Sequence, residues 1–241
     1  MVGRNVLIGP SNGWLFAQGI FDLRKHQNFL DEAGANAVEL AMYLGEEERQ
    51  EALLSGKLDT SFISLHLDDY YPDRSLDEQV LLAKTIFDKH QAVVGIIHPV
   101  NIPSFYLEAL VAAGICVAIE NMDKNKPCCY DIKELRGLIE KFGLKFILDV
   151  QHAFEHDTSM DYTWDLFEMT KVNLQYLHVS GQTKKNNHSL VHKAENAAAI
   201  IELLSRVFAQ TKIPIILEGQ YITAQDLTTE IEFLKKELGF T

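Results

Sequence analysis

Val117-Ala118-Ile119-Glu120 and, one helix later, Phe146-Ile147-Leu148-Asp149 are two copies of one pattern, a short apolar run that stops on an acid. Outward from this pair the pattern continues in both directions. Upstream stand Phe62-Ile63-Ser64-Leu65-His66 and Val93-Val94-Gly95-Ile96-Ile97-His98; downstream stand Leu174-Gln175-Tyr176-Leu177-His178 and Ile215-Ile216-Leu217-Glu218. An earlier, shorter run, Ala37-Val38-Glu39, ends the same way. Short apolar runs bounded by turn signals read as strands buried on both faces, the form they take in a parallel sheet. The chain has 34 Asp and Glu and 9 His among 241 residues, so a match at all six strand ends has a chance frequency of roughly 0.8%. The strand ends are therefore read as one constellation.

Between the strands lie helices. Val6-Leu7-Ile8 leads through Gly9-Pro10-Ser11-Asn12-Gly13 into a helical stretch that Gly34 stops, since glycine takes the left-handed conformation at a helix end. Gly56, Gly114, Gly143 and Gly239 mark later stops. Ser75 to Glu78 and Asp131 to Glu134 have capping-box spacing, and Pro103 suits the first turn of a helix ending near Ala113. A helix predicted from Lys193 to Ala209 turns Ile200, Ile201, Leu203, Leu204 and Val207 toward the sheet. The last helix runs from Thr223 to Leu238. Neither a dinucleotide fingerprint nor a Walker loop follows the first strand, which argues against an open doubly wound sheet. The reading is α/β, a (β/α)8 TIM barrel in a single domain, with longer loops after the strands building a site on one face.

Bulk properties narrow the function. A formal charge of −12 opposes a protein that coats nucleic acid, and tight duplex DNA binding is not expected. Acidic stretches such as Glu46-Glu47-Glu48 read as surface. Three cysteines, Cys128 and Cys129 adjacent, make neither a disulfide framework nor a zinc knuckle. With no membrane-length apolar run and no leader pattern, a soluble cytoplasmic protein is expected, and a homo-oligomer is compatible with it.

In a parallel barrel the strand ends converge on one mouth. Glu120, Asp149, His178 and Glu218 then form a mixed oxygen and nitrogen set suited to Zn²⁺, Mn²⁺ or Fe²⁺. Asp149-Val150-Gln151-His152 adds a second imidazole just past its strand. On these residues the chain resembles the xylose isomerase-like TIM-barrel superfamily of sugar phosphate isomerases, epimerases and endonuclease IV-like proteins. The resemblance covers nearly all of residues 1–241. It implies that Glu120, Asp149, His178 and Glu218 hold one divalent metal, zinc first, with manganese or iron as alternatives.

His66 and His98 end the third and fourth strands. Endonuclease IV is similar there, which implies a second metal held by His66 and His98 and bridged by Glu120; the alternative is that the two histidines only hydrogen-bond substrate. A third site is departed from: matching His188-Ser189-Leu190 to the family's stretch puts Lys185 and Asn187 where Asp and His should stand. His188 or His192 remains a candidate replacement or substrate contact. Lys184, Lys185 and Lys193 form a basic cluster that can hold an anionic group, and Lys184 and Lys185 are taken as substrate-binding candidates. His26, His90 and His156 read as surface or helix residues. Trp14 and Tyr70-Tyr71-Pro72 follow strands and can line the pocket or pack at its rim.

Two activities follow. The first expectation is metal-assisted hydrolysis of a small-molecule phosphoester, with Glu120 bridging two metals, Glu218 or Asp149 orienting water, and His152 or the lysines holding the anion. The alternative is isomerisation or epimerisation of a sugar, sugar phosphate or keto-polyol, with one metal and Glu120 and Glu218 as an acid–base pair. In either case the partner is a small polar or phosphorylated substrate.

Overall fold

The computed structural model describes residues 6–42, 47–67 and 69–240. Glu46 lies outside them; Glu47 and Glu48 are exposed as expected. The strands are β1 (Ile8–Pro10), β2 (Ala37–Ala41), β3 (Phe62–His66), β4 (Val94–Ile97), β5 (Val117–Glu120), β6 (Lys145–Asp149), β7 (Leu174–Val179), β8 (Gly181–Thr183), β9 (Asn186–Ser189) and β10 (Ile215–Leu217). Eight of them pair in parallel in the order β1-β10-β7-β6-β5-β4-β3-β2, and β8 with β9 forms a separate antiparallel hairpin. The ring closes at a bridge between Ser11 and Glu39, where the Asn12 N–H donates to the Glu39 carbonyl at 2.9 Å. This is the (β/α)8 barrel read from the sequence.

Helices α1 (Gly13–Ala17), α2 (Leu23–Ala33), α3 (Glu47–Ser55), α4 (Leu76–His90), α5 (Ser104–Ala112), α6 (Ile132–Phe142), α7 (Val150–His156), α8 (Asp161–Thr170), α9 (Ala197–Gln210) and α10 (Ala224–Leu238) surround it. Among the described residues none is long and apolar enough to cross a membrane.

Two-residue alternation positions the site. Ala37, Ala118, Ile147, Tyr176 and Ile216 belong to one buried cluster inside the barrel. Side chains two residues apart on a strand share a face. The next inward residues are therefore Glu39, Glu120, Asp149, His178 and Glu218, with His98 two past Ile96 on the fourth strand. Their neighbours Val38, Ile119, Leu148, Leu177 and Leu217 face outward into the larger strand–helix core. An apolar layer thus forms the floor, and the acids and imidazoles form the layer above it.

Several local signals resolve differently from expectation. Asp131 caps α6 through the Lys133 and Glu134 amides at 2.9 and 3.1 Å, but Glu134 reaches the Cys129 N–H at 2.7 Å instead of completing a box. Ser75 offers α4 no side-chain cap. Gln79 ties that loop instead, exchanging two 2.9 Å hydrogen bonds with the Tyr71 backbone. The complete capping box is at Thr223 and Asp226, opening α10. The helix expected from Lys193 starts at Ala197, because Val191–Lys193 form a 3₁₀ turn. Glu230 of α10 holds that turn by accepting the Val191 N–H at 2.5 Å and the His192 N–H at 3.1 Å.

His26 and His90 lie in helices but are buried rather than on the surface, bonded to the Ile20 carbonyl at 2.6 Å and the Leu53 carbonyl at 2.9 Å. His156 in α7 bonds the Met122 carbonyl at 3.0 Å.

Glycine matters most at the seam. A Cβ on Gly9 would lie 1.7 Å from the Ala37 carbonyl oxygen, so only a bare Cα lets β1 and β2 approach. Gly137, inside α6, has open space around it. Gly9→Ala is expected to cost about 3 kcal/mol, at the upper end of overpacking penalties. Gly137→Ala is expected to gain about 0.5–1 kcal/mol from helix propensity. Urea melts of both variants check the pair.

Candidate active site

His178 is the hub of the barrel mouth. Its Nδ1 lies 2.8 Å from Glu120 Oε2, 3.5 Å from Glu218 Oε1 and 3.9 Å from Asp149 Oδ2. Its Nε2 lies 2.9 Å from Glu39 Oε2. The structure therefore brings together the four residues that the sequence singled out as a metal set. Glu39, inside β2 beside Ser64, also accepts a hydrogen bond from the Tyr176 hydroxyl. Its role went unrecognised in the sequence, although its strand follows the same pattern: it holds the far side of the ring and so turns Nδ1 toward the three other carboxylates.

The flanking histidines form a second group. His98 Nε2 is 3.1 Å from Glu120 Oε1 and 3.2 Å from His66 Nε2. The Leu67 carbonyl lies 2.9 Å from His66 Nδ1. His66, His98 and Glu120 each offer a ligand atom within 4.8 Å of the others, as do Glu120, Asp149 and His178. His152, just past β6, stands beside this group as well. Asp149 caps α7, its Oδ1 accepting the His152 N–H at 2.7 Å, so His152 stands in the first helical turn. Its ring nitrogen Nδ1 lies 3.6 Å from Asp149 Oδ2 and 3.9 Å from Glu120 Oε1.

Protonation in this metal-free geometry is divided. Burial disfavours an imidazolium at His178, but the Glu218 and Glu39 carboxylates outweigh it and hold the group well above its ordinary value. Burial raises Glu218 well above the usual carboxylate range against the opposing pull of His178, with Asp149 and Glu120 adding to the rise. Glu120 is also buried, yet hydrogen bonds from His178 and His98 keep it well below. Burial works against His152 as well, and Asp149 and Glu120 lift it to about 9. Burial, reinforced by His98, lowers His66.

The residues present fit a divalent cation. Four carboxylates crowd one imidazole, and Asp149 Oδ2 is buried with no hydrogen-bond partner. A buried carboxylate oxygen is normally satisfied, and a cation among these oxygen and nitrogen donors would satisfy it.

The cleft over the site has a volume of about 340 Å³ and is lined by Ser11, Gly13, Trp14, Ala17, Arg49, His188 and Glu218. The Trp14 indole N–H donates to the Glu218 carbonyl at 3.0 Å, so this aromatic does line the pocket. Glu218 is the carboxylate that faces the cleft, its side chain 18% exposed against 2% for Glu120. A second hollow beside it carries Asp69, Tyr70, His98, Asn101 and Lys126.

Other candidates fall elsewhere. His188 stands at the cleft, 3.2 Å from the Ser180 hydroxyl, while His192 turns away to Glu230 at 2.5 Å and locks the 3₁₀ turn to α10. Among the described residues neither belongs to a three-ligand cluster. Lys184 and Lys185 are exposed near the tip of the β8–β9 hairpin, and Lys184 borders a different hollow with Glu195 and Asn196. Lys193 pairs with Asp226 at 3.5 Å. Arg49, which the sequence reading passed over among the acids of α3, lines the cleft itself. Cys128 and Cys129 are free thiols in the loop after β5.

The fold and this mouth together define an α/β barrel with a carboxylate–histidine centre, and solved structures share that fold. A D-tagatose 3-epimerase-like protein superposes with a TM-score of 0.67 at 16% identity, covering 97% of each chain. A xylose isomerase domain-containing protein from Salmonella typhimurium gives 0.67 at 13% identity over 99% of each chain. D-psicose 3-epimerase from Clostridium cellulolyticum, solved with D-tagatose, gives 0.57 at 11% identity over 90% of this chain and 94% of that one. No family model and no curated protein matches the sequence. At these identities the likeness shows the fold alone, a (β/α)8 barrel.

Because the pKa of both His178 and Glu218 is raised, protons compete with a metal for these groups. Adding Zn²⁺ or Mn²⁺ in weak buffer near neutral pH is expected to release protons to an indicator dye, with metal affinity falling as pH falls. Glu39→Gln is expected to weaken metal affinity by about 10–100-fold, the usual effect of losing a partner that orients a ligating histidine. Chelator competition measures it.

Proposed function

We propose that this protein is a metal-dependent isomerase or epimerase acting on a sugar or keto-polyol. The observation that carries the reading is the convergence of Glu120 and Glu218 on one imidazole nitrogen, at 2.8 and 3.5 Å, with only Glu218 facing the cleft. The likeness in fold to the D-tagatose 3-epimerase-like protein and to D-psicose 3-epimerase supports it. Phosphoester hydrolysis, the first expectation, draws no support from these comparisons, and the alternative takes its place.

Glu120, Asp149, His178 and Glu218 would hold the metal, which when bound polarises a substrate carbonyl and acidifies the adjacent C–H. Glu218, facing the cleft, takes the proton from that carbon. Glu120, deeper and fixed by His98, is the second carboxylate, the one that serves the opposite face of the substrate. Proton transfer of this kind contributes about 10²–10⁴-fold. His152, poised between Asp149 and Glu120, donates to substrate oxygens. The His66–His98 pair is available to bond further hydroxyls.

Incubation of metal-loaded protein with a panel of ketohexoses and ketopentoses in D₂O tests this. Deuterium is expected to enter at the carbon next to the carbonyl, and Glu218→Gln is expected to slow that exchange by at least about 100-fold. Cleavage of phosphoesters without any such exchange, together with two ions per chain, would return the assignment to the hydrolase.

A further inference from the structure

We propose that Arg49 is the anion-binding residue of the cleft and selects a keto-polyol bearing a terminal oxyanion, either a phosphate ester or a carboxylate. The sugar part of this statement rests on the isomerase reading; the anion subsite does not.

Among the described residues, Arg49 is the one Lys or Arg side chain that is buried, at 5% exposure. Long cationic side chains ordinarily keep their heads in water. This one instead lines the same cleft as Glu218, His188 and Ser11. Its position is fixed from below. The guanidinium carbon sits 4.8 Å from the centre of the Phe16 ring, a cation–π distance. Phe16 is itself buried and packs against Phe21 at 5.8 Å and His26 at 4.9 Å between ring centres. The α3 neighbours Ala52 and Leu53 are buried in the core, so the helix that carries Arg49 is anchored.

The chemistry follows from that placement. A guanidinium is a planar fork that matches two oxygens of a phosphate or carboxylate, and preorganising it removes much of the entropic cost of binding. In a partly desolvated cleft its attraction for an oxyanion is several times stronger than at an open surface. The exposed Lys184 and Lys185 lack both advantages. The mouth is otherwise rich in carboxylates, so an anionic substrate needs one fixed cation besides the metal. Arg49 meets that need from the β2 side of the barrel, while Glu218 acts from the β10 side.

The test uses metal-loaded protein and three matched probes: a neutral ketohexose, its terminal phosphate ester and the corresponding uronate, with binding followed by calorimetry. Wild type is expected to bind at least one anionic member tenfold or more tighter than the neutral sugar, and the preferred member identifies which oxyanion the subsite takes. Arg49→Met is expected to erase that preference while metal content stays unchanged. Arg49→Lys, which keeps the charge without the fork, is expected to show an intermediate preference and serves if the methionine variant does not fold. Equal binding of all three probes by wild type, or a preference that survives in Arg49→Met or stays at the full wild-type value in Arg49→Lys, overturns the proposal. An Arg49-dependent preference without deuterium exchange in any sugar would sink the isomerase reading and leave the subsite standing.

Discussion

One imidazole held at both nitrogens organises the barrel mouth. His178 meets Glu120 through Nδ1 at 2.8 Å and Glu39 through Nε2 at 2.9 Å, and both acids are buried. Fixing Nε2 on Glu39 settles which nitrogen faces the remaining carboxylates. Asp149 divides its two oxygens in the same spirit: Oδ1 caps α7 through the His152 amide, while Oδ2 points at the site without a partner. A backbone requirement and a chemical one are thus met by a single side chain. The arrangement depends on two-residue alternation in parallel strands, which stacks acid and histidine directly above an apolar floor.

Such a concentration of buried carboxylate has a cost. Buried charges are unfavourable unless they are paired or coordinate a cation. Among these residues the crowding favours proton uptake, with Glu218 and His178 both pushed well above their ordinary values. A site of this kind trades stability for function. A divalent ion reverses the trade by supplying the missing positive charge, which links metal binding to folding stability.

The barrel was legible in the sequence because each strand carries its own end marker, and the markers share one face. Glu120, Asp149, His178 and Glu218 were found for the same reason, and so were His66 and His98. What escaped was information that lies in packing. Nothing in Glu47-Glu48-Arg49 distinguishes a buried guanidinium from the charged, solvated face of a helix; packing such as that on the Phe16 ring does. His192 carries the same residue type as the histidines at the barrel mouth, but Glu230, far along the chain, claims it. The lysine cluster reads as an anion site in one dimension and spreads over a hairpin and a turn in three. Helix starts shifted likewise: Gln79 ties the loop before α4 to the Tyr71 backbone, and Glu230 reaches from α10 to hold the turn before α9.

The central claim is that a divalent metal binds where Glu120, Asp149, His178 and Glu218 converge. The most direct measurement is anomalous diffraction from crystals soaked in Mn²⁺ or Zn²⁺, recorded at the absorption edge of the metal. An anomalous peak is expected within bonding distance of His178 Nδ1 and the carboxylates around it. A map empty there, or one whose peak lies only at Cys128, Cys129 and Glu134, the other described group able to gather three ligand atoms away from the mouth, would contradict it.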